Sequence, residues 1–104
     1  MNQELNNIDR PNLDRKYFWE FVYDKIDWRV SYRTVIQRIL ERGEKQDWEE
    51  LIRFYSEDKV VSTIKDEIAY MPDDIIQETC DFFHLKKEQL RCYIRKQSLP
   101  RHWI

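Results

Sequence analysis

The sequence predicts an all-α fold: a compact single domain built from five to six short helices. Three observations predict it. Apolar residues recur at helical spacing in successive stretches, most regularly at Tyr32, Val35, Ile36, Ile39 and Leu40. One glycine and three prolines in 104 residues leave too few turn formers for a β-sandwich. Charged residues make up 37% of the chain, enough to solvate the outer faces of helices that are apolar on one side. No stretch alternates with period two for long enough to predict a strand. The length suits one domain, and a hydrophobic content of 41%, with aromatics alone at 14%, supplies one core.

The elements follow in order. Residues 1–11 are polar and aperiodic and read as a flexible tail; residues 12–104 form the helical domain. Asn12 or Asp14 caps a first helix, in which Leu13, Tyr17, Phe18, Phe21 and Val22 keep helical spacing until about Tyr23. A connector over 24–28 carries two apolar anchors, Ile26 and Trp28. Ser31 is the expected N-cap of the second helix, and Gly43 sits where that helix should close in the left-handed conformation. Asp47 followed by Glu50 resembles a capping box for a third helix with Trp48, Leu51, Ile52 and Tyr55 inward. Ser56, with Glu57 and Asp58, suits the start of a fourth, lined by Val60, Val61, Ile64 and Ile68. Pro72 reads as the first residue of a fifth, where its fixed φ and missing N–H cost nothing; Ile75, Ile76, Thr79, Cys80 and Phe83 face inward. A sixth begins near Lys86 with Leu90, Tyr93 and Ile94 inward. Pro100 stops it, and Trp103 and Ile104 are expected to fold back on the domain.

Net charge is −2, so there is no global basic signature, but the distribution is uneven. Residues 1–70 hold 15 acids against 12 bases. Residues 84–104 hold one acid, Glu88, against Lys86, Lys87, Arg91, Arg95, Lys96 and Arg101. Such asymmetry points to an anionic partner at the basic end or to a hydrated face. No apolar run approaches the ~20 residues of a membrane span, and the N-terminus has neither the basic nor the apolar region of a secretory signal. Two cysteines without an export signal read as reduced thiols. The expected location is the cytoplasm, with no membrane partner.

The pair of helices at 72–96 meets the needs of a helix-turn-helix. Cys80 is small where the helices cross, and Leu85, Leu90 and Tyr93 face inward. Lys86, Lys87, Arg91, Arg95 and Lys96 then stand ready to neutralise phosphates. His84 occupies the turn position that usually holds Gly, a conformation His reaches more readily than most residues. Helical pairs of this shape are also common in proteins that never touch DNA. Cys80, His84, Cys92 and His102 have the right number for a zinc site but the wrong spacing, and both cysteines suit a helical core. The paired acids fall at helix starts or on outer faces, where capping and solvation explain them. No nucleophile constellation and no Gly-rich phosphate loop is present. The sequence therefore predicts no enzyme, no cofactor and no metal. Among four tryptophans, Trp48 reads as core, while Trp19 and Trp28 lie at helix ends and form a candidate interface patch.

Several strings together carry a family resemblance: Phe18-Trp19, Ile26-Asp27-Trp28, the run from Val35 to Gly43, Asp47-Trp48 and Arg91-Cys92-Tyr93. Over about residues 17–95 the chain resembles a family of small helical bacterial proteins of uncharacterised function. Its members are often encoded beside abortive-infection nucleotidyltransferase-like toxins, and some carry the label of candidate antitoxin. The resemblance implies a helical fold and a toxin as protein partner. It brings no catalytic or binding residues to transfer. The chain departs from that pattern at Met71, where Ser is common, and at His84, where Gly is common. The function expected is a non-enzymatic protein-interaction module, antitoxin-like, docking through the basic sixth helix or the Trp19/Trp28 front. The alternative is a DNA-binding transcriptional regulator that uses 72–96.

Overall fold

The structure, a computed structural model, describes residues 10–98, and among them there are helices and turns but no strand. The all-α expectation holds. Five α-helices follow one another: α1 (Tyr32–Arg42), α2 (Lys45–Tyr55), α3 (Glu57–Asp66), α4 (Asp73–Phe83) and α5 (Arg91–Ser98). Three short 3-10 turns complete the chain, at Arg15–Phe18, Tyr23–Lys25 and Lys87–Gln89.

The helix α1 is the centre of the packing. Val35, Ile36, Ile39 and Leu40 are all buried on one stripe, and the helix touches α2, α3, α4 and the first 3-10 turn. Trp48 fixes three of these pieces at once. Its indole N–H donates to the Ile39 carbonyl at 3.2 Å, and its ring meets Phe82 edge-on at 5.2 Å and Phe83 stacked at 6.3 Å. That pairing adds aromatic contact to what burial alone supplies. Val60, Ile64, Ile68, Ile76 and Leu90 close the core from α3, α4 and the approach to α5.

Helix ends differ from expectation in instructive ways. The α2 helix starts ahead of Asp47, which sits at its third residue; the carboxylate Oδ2 there accepts the Glu44 N–H at 2.9 Å. Ser31 makes no capping bond. Asp27 does the local work instead, its Oδ1 accepting the N–H groups of Arg29 and Val30, each at 3.2 Å. Gly43 is not left-handed: its φ of −83° and ψ of 177° are open to any residue. Glycine is required there for space, since a Cβ would lie 2.9 Å from the Ile39 carbonyl oxygen and 2.9 Å from Ile39 Cγ2. Ser56 does cap α3, accepting the Lys59 N–H at 3.3 Å, and does so with a positive φ of 80°. Pro72 is the residue before α4 rather than its first.

The expected first helix does not form. The stretch is rich in aromatic residues, which lose rotamer freedom in a helix, and they point to too many sides for one buried face to hold them. Asp14 instead caps the 3-10 turn Arg15–Phe18 through its Oδ1 and the Lys16 N–H at 2.9 Å. Phe18 and Trp28 are buried against each other edge to face at 5.4 Å, with Tyr23 beside them. Pro11, assigned to the tail, is buried. The rest of the tail, residues 1–9, and the carboxyl-terminal Trp103 and Ile104 lie outside the described residues.

Candidate functional site

The basic segment is arranged differently from a helix-turn-helix. His84 closes α4 in the left-handed conformation (φ 59°, ψ 48°), and the Leu85 N–H returns to the Cys80 carbonyl at 3.0 Å, the long bond of a Schellman stop. The chain then runs extended through Lys86, makes the 3-10 turn Lys87–Gln89, and enters α5 only at Arg91. Lys86 and Lys87 therefore precede the helix they were expected to occupy. The main helical neighbour of α5 is α3. Within α5 the inward register also shifts: Cys92 is fully buried, while Ile94, expected inside, is 51% exposed. Arg91 and Arg95 are both exposed and one turn apart. Among the described residues the Arg91 guanidinium reaches the Asp66 carbonyl, at 3.5 Å. Lys96 belongs to α5, but its side chain lies outside the description.

The tryptophan front splits. Trp19 is 73% exposed, whereas Trp28 is buried at 7%, its carbonyl accepting the Tyr55 hydroxyl at 2.7 Å. Trp28 therefore leaves the candidate interface and joins the core. In its place stand Phe21 and Val22, which share the helical spacing of the buried Leu13, Tyr17 and Phe18 and yet are 42% and 66% exposed. With Phe18 and Ile26 they form one wall of a groove of about 360 Å³, and Ser31, Thr34 and Val35 of the α1 region form the other; Lys25 and Asp27 also line it. One signal in the sequence pointed here. Tyr17, Phe18, Trp19, Phe21, Val22 and Tyr23 step through all sides of a helix at 100° per residue, so no single face could have buried them.

The ionisable groups beside the groove are largely engaged. Arg38 holds Glu20 with a two-armed contact, Nη1 to Oε1 and Nη2 to Oε2, the latter at 2.7 Å, which keeps the Glu20 carboxyl below its ordinary range. The same guanidinium lies over the Phe21 ring at 5.6 Å. Asp24 faces Arg15 at 3.8 Å. Elsewhere, Glu67 accepts the Tyr32 hydroxyl at 2.5 Å and meets Arg33 at 3.4 Å; the hydroxyl is the main reason its carboxyl titrates low. These are fastening roles. Burial raises the Cys80 thiol, the opposite of an activated nucleophile. Among the described residues no group of three or more His, Cys, Asp or Glu side chains could hold a metal ion; His102 of the weighed zinc set lies outside them. No helix among the described residues is long and apolar enough to cross a membrane.

The family model of DUF6922, a family of unknown function, matches residues 13–64, half of the chain. The chain belongs to DUF6922. The matched span contains both walls of the groove, from Phe18 to Val35. The basic residues from Lys86 to Arg95 fall beyond it. No curated protein and no solved structure matches the chain.

Proposed function

We propose that this DUF6922 chain is a non-enzymatic protein-interaction module that docks its partner through the apolar front of Trp19, Phe21 and Val22. One observation supports the reading above the others. Large apolar side chains stand in solvent beside a groove, although the same short segment buries Phe18 and Trp28 well. Exposed aromatic clusters of this kind mark interaction surfaces. The resemblance described above supplies the partner class: a nucleotidyltransferase-like toxin encoded nearby, which the chain neutralises in the cytoplasm as an antitoxin. Co-expression with the neighbouring gene product tests this. A stable complex and relief of toxicity are expected, both lost with Trp19→Ser and Phe21→Ser together. Absence of any complex, or a complex indifferent to those changes, rejects it.

A second reading, DNA binding, is favoured by the exposed pair Arg91 and Arg95, which has no carboxylate partner among the described residues, together with Lys86, Lys87 and Lys96. A gel shift with the promoter region of its own gene decides it. Binding should weaken steeply with salt, and Arg91→Ala with Arg95→Ala should flatten that dependence. Binding that ignores both changes removes α5 from the account.

A further inference from the structure

The groove beside Phe21 and Val22 has an electrostatic polarity as well as an apolar floor. Three acids lie on its segment, and each already faces a donor of the chain itself. Glu20 is held by Arg38, Asp24 faces Arg15, and Asp27 accepts two backbone N–H groups. Two cations on the same segment have no carboxylate partner among the described residues. Lys25 lines the groove, and Arg29 lines the depression that continues from it across Lys25, Ile26 and Asp27. Both are exposed. With Asp24 taken up by Arg15, the surface presents apolar contact on one side and an excess of positive charge at its edge, Lys25 and Arg29 against the carboxylate of Asp27.

We infer that the occupant of this groove is a short partner segment that carries apolar anchors followed by carboxylates. The inference rests on the docking reading above and specifies its partner. The volume, at the low end of what small-molecule sites enclose, fits inserted side chains. Phe21 and Val22 would contact the anchors, and Lys25 and Arg29 would meet the acids. Rim charges of this sort govern encounter rate and choice of partner more than final affinity, so the preference should be strongest at low salt.

Panning a displayed library of short random peptides against the full chain tests it. The enriched peptides should combine large apolar residues with Asp or Glu. They should bind Lys25→Glu/Arg29→Glu about tenfold more weakly, a change of the size rim charges produce, and should fail to bind Phe21→Ser; Val22→Ser serves if that variant does not fold. Enrichment of basic or uncharged peptides, or none, overturns the inference, as does indifference to the charge reversal. A homodimer abolished by Phe21→Ser would make a second copy the occupant. Stronger peptide binding after deletion of residues 99–104 would make the chain's own carboxyl end the occupant. Either result overturns the inference. The toxin complex separates this idea from the reading beneath it. A complex that survives Lys25→Glu/Arg29→Glu but breaks with Phe21→Ser keeps the docking surface and rejects the acidic occupant; one indifferent to both rejects both.

Discussion

Asp47 shows how much of this structure hangs on single side chains. Its Oδ2 accepts the Glu44 N–H at the start of α2 and the Tyr17 hydroxyl at 3.0 Å, stitching the first 3-10 turn to a helix thirty residues away. Burial and the Asp47 carboxylate push the Tyr17 hydroxyl up to about 12. The sign follows. The folded state favours the neutral phenol, so the contribution is intact below the unfolded value near 10 and is lost as pH rises towards 12. Tyr17→Phe should cost about 1 kcal/mol at neutral pH, and the difference from the unaltered chain should shrink across that alkaline window, as denaturant titrations at successive pH values will show. An unchanged difference above pH 11 would reject the linkage. Gly43 is the second such position. The carbonyl of Ile39 cannot yield to a new Cβ at 2.9 Å, so Gly43→Ala should destabilise by about 1–3 kcal/mol, despite the stiffer unfolded chain that favours alanine. Thermal melts check it: a rise in Tm would mean that the α1–α2 corner has slack. Glycine at a helix end was legible in the sequence, but its reason was not, because the conflict is with the previous turn and the next helix rather than with the residue's own dihedrals.

At the scale of elements, legibility tracked how completely an apolar stripe could be buried. The stripes of α1 and α4 and most of those of α2 and α3 were readable because each puts its buried residues three or four apart, and burial then enforces the period. The first segment kept that spacing at Leu13, Tyr17, Phe18, Phe21 and Val22 and still did not become a helix, since spacing reports which face is apolar and not whether a helix forms. The same ambiguity hid the candidate site: Phe21 and Val22 share their spacing with buried residues yet stand in solvent, and Trp28, which reads from the sequence as a partner of Trp19 in an interface patch, is buried against Phe18. The start of α5 was missed because Lys86 to Leu90 look helical in composition, whereas the structure spends them on an extended residue and a 3-10 turn. The preceding stop carries a testable strain. His84 holds φ 59°, a conformation that costs a residue with a Cβ about 1–2 kcal/mol, and its side chain is exposed. His84→Gly should therefore raise stability by about 1 kcal/mol at the same Schellman geometry, less the extra entropy of glycine in the unfolded chain. A Tm increase of about 4–8 °C is the corresponding readout; a decrease would show that the imidazole makes a contribution that outweighs the strain.

At the scale of the whole molecule, the family match and the core have different extents. The DUF6922 span ends at residue 64, within α3, yet the interior it belongs to does not end there. Trp48 is covered by Phe82 and Phe83, α1 packs on α4, and α3 packs on α5. Ile68, Met71, Ile76, Cys80, Leu90 and Cys92 are all buried and all lie past the matched span. A fragment covering 13–64 would therefore expose the indole of Trp48 and the α4-facing stripe of α1, and would lose a large share of the apolar burial that offsets chain entropy. We expect such a fragment to melt without a cooperative transition and to lack dispersed side-chain resonances, whereas residues 10–98 should unfold in one step that tryptophan fluorescence and far-UV circular dichroism report at the same midpoint. The groove provides an independent check within that experiment. Its walls all belong to 18–35, but Val35 is held in place by the α1 packing that α4 completes, so binding of an apolar-acidic peptide should fail in the fragment and persist in residues 10–98. A fragment that folds cooperatively and still binds would make the matched span a self-sufficient domain and turn α4 and α5 into an appendage.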